Sequence, residues 1–247
     1  MFDAKNIGPV LVTGGGSGIG RASAKRLAPY GPLIIADVIK SAAEDTAGFL
    51  RDAGYNAYAV QVDVSDGDAV AVMYQDAISN YGKLSGIVHC AGISERKQLC
   101  DINSSDWDRM IRVNLTGSFW MAKYGEAALQ DGSAVVIVSS GSALTGSGGG
   151  VHYASSKAAQ LGMVRALARE WAPRRIRVNA VCPRSIETPM LDILYNEDKA
   201  REVVATIPLG RLGTVYDVAS LIHYLITDNG FMTGQWLLMD GGRMYSS

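Results

Sequence analysis

A run of glycines set between a buried-strand pattern and a helix constrains this chain more than any other feature. The segment Val10-Leu-Val-Thr-Gly-Gly-Gly-Ser-Gly-Ile-Gly20 starts apolar, turns at Thr13 and places glycine at five of the next seven positions. Arg21-Ala-Ser-Ala-Lys-Arg-Leu27 follows, with apolar Ala24, Leu27 and Ala28 at helical spacing. A flexible linker would have neither flank. Glycines in that position let the backbone turn sharply and come close to a ligand. The unpaired N–H groups at the helix start then attract an anion such as a pyrophosphate. The spacing Thr13-Gly14-x-x-x-Gly18-x-Gly20 differs from the G-x-G-x-x-G fingerprint of dinucleotide sites.

The remainder of the chain alternates short apolar runs with longer amphipathic stretches. Strands are expected at Val10–Val12, Leu33–Ala36, Ala57–Val62, Gly86–His89, Ala134–Val138, Arg177–Val181 and Trp236–Met239. Helices are expected at Ile19–Ala28, Ser41–Ala53, Asp66–Asn80, Trp107–Leu129, Tyr153–Trp171 and Val215–Ile226. The alternation predicts an α/β fold, a Rossmann-type doubly wound parallel sheet of about seven strands with helices on both faces. At 247 residues and 48% hydrophobic content the chain can bury one large core, so residues 1–247 read as a single domain. The Gly- and Ser-rich stretch Ser142–Gly150 reads as an active-site loop.

Chemistry enters with Tyr153 and Lys157 in the helical segment VHYASSKAA. Side chains four apart share a helix face. A lysine ammonium beside a phenol favours phenolate and lowers the phenol pKa from its usual value of about 10. Alone, such a pair is usually no more than a helix face. In one domain with a nucleotide-binding start, it points to hydride transfer involving a nicotinamide. Asp37, ending Leu33-Ile-Ile-Ala-Asp37, can accept hydrogen bonds from adenosine ribose hydroxyls and repel a 2′-phosphate. Ser17 and Val38 are uncharged, so NAD (NADH) is the expected cofactor.

These residues together resemble the short-chain dehydrogenase/reductase family over nearly the whole chain. Four motifs carry the resemblance: TGxxxGxG at Thr13–Gly20, Asn114 in Met110-Ile-Arg-Val-Asn-Leu-Thr-Gly117, Ser140 thirteen residues before Tyr153, and Tyr153 with Lys157. Ser139 competes with Ser140 for the family's serine position and otherwise reads as a strand-end hydroxyl. The resemblance implies a catalytic set of Asn114, Ser140, Tyr153 and Lys157. It implies cofactor contacts at Gly14, Gly16, Ser17, Gly18, Ile19, Gly20, Asp37, Val38, Asp63, Val64, Cys90, Ala91, Gly92, Tyr153, Lys157, Pro183, Ile186 and Thr188. In the family picture the Asn114 main-chain carbonyl holds a water that links Lys157 to solvent. Two departures stand out. The family's Asn-Asn-Ala-Gly is His89-Cys90-Ala91-Gly92 here, and the glycine after Pro183 is Arg184. Ser142, His152 and Arg184 are the expected substrate neighbours, with Arg96 and Lys97 adding positive potential and a lid around residues 187–210.

The activity implied is interconversion of a secondary alcohol and a ketone, with a polar or anionic substrate: a hydroxy acid, a polyol or sugar, a cyclic diol or a hydroxyacyl group. The competing readings are a catalytically silent NAD-binding sensor or scaffold and an NADP-dependent 3-oxoacyl reductase. A net charge of −1 gives no reason to expect nucleic acid or an anionic membrane as partner. No apolar run reaches spanning length, the first residues lack a signal-like apolar stretch, and the three cysteines read as reduced thiols, which predicts a cytoplasmic protein. No metal-ligand spacing is present among the histidines and acids. Small residues on Trp107–Leu129 and Tyr153–Trp171 predict a homo-oligomer, a tetramer or a dimer.

Overall fold

The computed structural model describes residues 7–188 and 197–245. In chain order its elements are β1 (Val10–Thr13), α1 (Gly18–Leu27), β2 (Leu33–Asp37), α2 (Lys40–Asp52), β3 (Ala57–Gln61), α3 (Gly67–Tyr81) and β4 (Leu84–His89). Then come α4 (Ser104–Ile111), a π-helical turn (Arg112–Thr116), α5 (Gly117–Ala128), β5 (Leu129–Val138), α6 (Ser142–Thr145) and α7 (Gly150–Glu170). The chain continues through β6 (Arg177–Pro183), α8 (Glu197–Ala205), α9 (Val215–Thr227) and β7 (Trp236–Met239).

Alternation along the strands fixes the layering. Val10 and Val12 pack on one side of the sheet with Leu27 of α1, Leu50 of α2 and Ile222 of α9. Leu11, between them, faces the other side with Met73 of α3, Met121 of α5 and Val164 of α7. The sheet is parallel throughout, with strand order β3-β2-β1-β4-β5-β6-β7. The order reverses between β1 and β4, so the loops leaving those two strands part and leave a crevice at their carboxyl ends.

The expected helix Trp107–Leu129 runs unbroken from Ser104 to Ala128 but changes its winding within that span. It begins at Ser104, behind a capping box made by Asn103 and Asp106. It then widens into the π turn around Asn114 before resuming as α5. Leu129 already belongs to β5, where it pairs with Leu84 across a register shift. The Gln130-Asp-Gly-Ser stretch, with Gly132 at φ +84, looks like a turn in sequence and hides this early start. Helix α7 begins three residues before Tyr153 at Gly150, and Gly148, Gly149 and Gly150 have φ +80, +65 and +80. Of the expected lid, Met190, Leu191, Ile193, Leu194 and Tyr195 lie outside the described residues.

Candidate active site

The phosphate loop occupies the crevice beside β1. A Cβ on Gly20 would lie 2.1 Å from the Gly14 carbonyl oxygen, so the turn closes only around glycine there. Ser17 precedes α1 without using its side chain as a cap, and the first turn holds no acid, which leaves the N–H groups available to an anion. The loop is tied to the second strand: Gly16 N donates to Asp37 Oδ2 at 2.9 Å, and Ile39 N donates to Asp37 Oδ1 at 3.0 Å. Val38 is exposed beside it. Asp63 accepts from Ser65 N at 2.9 Å, and Val64 is buried against Gly117. A pyrophosphate and an adenosine ribose therefore fit what these residues present.

Beyond the loop lies a cavity of about 340 Å³. Ile19, Cys90, Gly92, Ser140, Tyr153, Lys157, Pro183, Ile186 and Thr188 all line it. Ser142 and Arg184 line it as well. Gly14, Gly16, Ser17, Gly18, Gly20, Asp37, Val38, Asp63, Val64 and Ala91 lie outside this wall, toward the phosphate loop and the β2 and β3 ends. Asn114 is fully buried beneath the cavity.

The two adjacent serines have separate roles. Ser139 Oγ donates to the Lys157 carbonyl at 2.8 Å, which commits it to the strand–helix junction. Ser140 Oγ accepts from Ser142 N at 3.1 Å, and Ser140 favours the ionised form of the Tyr153 phenol. Lys157 Nζ donates to the Val138 carbonyl at 3.0 Å and lies 6.0 Å from the Tyr153 ring centroid.

The electrostatics differ from the expectation for Tyr153. Burial raises its pKa, and the group pulling the phenol down is Ser140, not Lys157. Lys157 is itself buried, and desolvation lowers its pKa to about 8. Burial likewise raises Cys90 to about 12 and Cys182 to about 11, so both thiols stay neutral.

Two further expectations are corrected. His152 does not line the cavity. It is fully buried because α7 turns its ring inward behind Gly150, and neither ring nitrogen has a hydrogen-bond partner among the described residues. Lys97 pairs with Asp106 at 2.7 Å and Glu95 at 3.0 Å, so its charge is spent within the loop. The main-chain carbonyl of Asn114 already accepts from Ser118 Oγ and Gln160 Nε2, at 2.7 and 2.9 Å. Arg96 does line the cavity, as do Ser147, from the stretch read as an active-site loop, and Arg243, which nothing in the sequence pattern marked. The Arg184 stem lies over Gly141, and its guanidinium donates to Ser147 Oγ at 3.1 Å. Arg243 donates to Ser185 Oγ at 2.9 Å.

This fold and this wall define a nicotinamide-type oxidoreductase site, and comparison with known proteins gives the family. A family model described as "Enoyl-(Acyl carrier protein) reductase" matches residues 14–244. The (3R)-3-hydroxyacyl-CoA dehydrogenase of Mus musculus is 37% identical over 94% of each chain. The cis-4-hydroxycyclohexanecarboxylate dehydrogenase of Sinomonas cyclohexanicum is also 37% identical over 94% of each. A solved short-chain dehydrogenase/reductase from Serratia marcescens superposes with TM-score 0.91 at 29% identity, over 97% of this chain and 99% of that one. A blue fluorescent protein from a metagenomic library, solved with NADPH, superposes with TM-score 0.90 at 32% identity, over 98% and 99%. The chain belongs to the short-chain dehydrogenase/reductase family and is an oxidoreductase.

The depressed pKa of Lys157 makes a prediction for stability. Its folded value, about 8, lies below the usual 10.5. Below pH 8 the fold carries a buried cation. Between the two values the unfolded chain holds the proton that the folded chain has released, so stability rises with pH. Urea unfolding of wild type and Lys157→Met from pH 7 to 10.5 should show the wild type gaining on the order of 3 kcal/mol relative to the variant. Parallel curves would mean that Lys157 keeps an ordinary pKa.

Proposed function

We propose that the protein is an NAD(H)-dependent dehydrogenase that interconverts a secondary alcohol bearing an anionic group and the corresponding ketone. The observation behind this reading is the shared cavity of Ser140, Tyr153 and Lys157, opening beside a glycine loop that Asp37 braces. When bound, the nicotinamide accepts or supplies the hydride. Tyr153 handles the proton: as phenolate it takes the alcohol hydrogen, and in reduction its neutral phenol gives a proton to the carbonyl oxygen. Burial favours the neutral phenol, which is the form reduction requires. Ser140 steadies the phenol and donates to the substrate oxygen. Lys157, held by the Val138 carbonyl, is assigned to the nicotinamide ribose hydroxyls.

Asp37 supports NAD over NADP, because a carboxylate at the end of the second strand would repel an adenosine 2′-phosphate. Arg184, with Arg96 and Arg243 on the same wall, supports an anionic substrate. The relative named for a hydroxycyclohexanecarboxylate acts on a carboxylate-bearing alcohol by its name.

Tyr153→Phe should lower kcat by about 10³-fold or more while NADH affinity, followed by fluorescence, changes by less than about threefold. Undiminished turnover would sink the assignment. A screen of NAD reduction across secondary alcohols tests the activity itself, and silence on every one would favour the sensor or scaffold reading. Asp37→Ser with Val38→Arg should move the NAD/NADP ratio of kcat/KM by about tenfold or more toward NADP. A wild type that already prefers NADP would refute the role given to Asp37. Arg184→Gly should cost about 10–100-fold in kcat/KM on a hydroxy acid and much less on its methyl ester. Equal losses on both would remove Arg184 from substrate recognition.

A further inference from the structure

Among the described residues, two that are not glycine have a positive φ: Arg175 at +55 and Ser185 at +57. In that region an L side chain crowds its Cβ against a neighbouring carbonyl, and the residue stays there only where its surroundings hold it. Arg175 closes the short helical turn Ala172–Arg174, a common place for the left-handed conformation. Ser185 closes no helix. It follows the end of β6 and lines the cavity that holds Tyr153 and Lys157.

Contacts reach Ser185 from two directions. Its carbonyl accepts from Gly213 N at 3.1 Å, and Glu187 N donates to the Gly213 carbonyl at 2.8 Å, so Ile186 and Gly213 form a parallel bridge. A Cβ on Gly213 would lie 2.4 Å from Ile186 Cδ1, so the bridge closes only around glycine. From the other side, Arg243 Nη1 donates to Ser185 Oγ at 2.9 Å.

Arg243 is held in place by its own neighbours. The buried carboxylate of Asp240, just past β7, accepts from Gly242 N at 2.9 Å and from Met244 N at 2.7 Å, one residue to either side of Arg243. The chain before Ser185 is tied to the same strand end, because Arg184 N donates to the Met239 carbonyl at 2.9 Å. A fixed turn after β7 thus grips the hydroxyl of a residue whose backbone is strained.

We propose that Arg243 is a positioning residue: its bond to the Ser185 hydroxyl holds Ser185 left-handed and so keeps Ile186 and Thr188 in place on the cavity wall to receive the nicotinamide. Both of those residues line that wall. This rests on the dehydrogenase reading above. Neither Arg243 nor Ser185 has to touch a reacting atom to do it.

The test is amide hydrogen exchange at Gly213 and Glu187 in the cofactor-free chain, with NADH affinity followed by fluorescence beside it. Neither amide adjoins a substituted position, so their intrinsic exchange rates stay the same in every variant. Arg243→Met removes the donor, and Ser185→Ala removes the acceptor while keeping the strain. Each should speed both exchanges by about fivefold or more and weaken NADH binding by a similar factor. Ser185→Ala changes no charge, so it separates the grip on Ser185 from any attraction between the guanidinium and the cofactor phosphates. It also serves if Arg243→Met does not fold. Ser185→Gly loses the hydroxyl too, but glycine takes this φ without strain, so both readouts should stay within about twofold of wild type. Arg243→Met combined with Ser185→Gly should return to within about twofold as well, a rescue that a general packing role for Arg243 would not allow.

Unchanged exchange in both Arg243→Met and Ser185→Ala would overturn the proposal. So would failure of Ser185→Gly to rescue Arg243→Met, or undiminished NADH affinity in both single variants of a chain that binds NADH. Failure of the dehydrogenase reading, seen as no NAD reduction by any alcohol, registers separately, because the exchange measurement needs neither cofactor nor substrate.

Discussion

The Asn114 amide bonds both main-chain groups of Ile93 and the hydroxyl of Ser156, and so ties the segment after β4 to α7 through the π turn between α4 and α5. Three separate stretches of chain meet on that one side chain. Each of its polar atoms is buried, so removing any partner would leave an unmet hydrogen bond costing about 1–3 kcal/mol. The positions of Gly92, Lys157 and the cavity floor all follow from this tie. The widened turn is what turns the Asn114 side chain toward the β4 loop while its carbonyl points at α7.

Desolvation is the dominant electrostatic effect at the base of the cavity. It weakens the ammonium of Lys157, keeps Cys90 and Cys182 as thiols, and favours the neutral phenol of Tyr153. Positive charge is concentrated instead at the wall, where Arg184 and Arg243 each donate to a serine hydroxyl. The base of the cavity thus holds the weakened ammonium of Lys157 among neutral groups, while guanidiniums stand on the wall above it.

Much of this was legible in the sequence because its signals are local. The strand positions follow from apolar runs, the two faces from the alternation of Val10, Leu11 and Val12, and the phosphate loop from glycine spacing. Ser140 and Lys157 follow from the order of the motifs. The misses share a different cause. The π turn inside Trp107–Leu129 depends on contacts with Ile93 and Ser156, and the early start of β5 depends on pairing with Leu84. The inward ring of His152 depends on how the three glycines before it bend the chain. Gln160 passes in sequence for an ordinary helix residue, and only its tertiary neighbours show that its amide bonds the Asn114 carbonyl. Each miss is a long-range contact overriding a local pattern.

The strand order also sets a timetable for assembly. β1 lies between β2, which begins at Leu33, and β4, which does not begin until Leu84. A chain emerging from the ribosome amino end first can pair β1 with β2 and β3 early, but one long edge of β1 stays open until His89 has been made. Thr13 finds its His89 partner only then. Contacts of such sequence separation slow folding, and an open apolar strand edge invites pairing with other chains in the interval. The crevice that reads as the dinucleotide site is therefore also the last part of the first half to close, and the half-made chain is most exposed to aggregation along that strand.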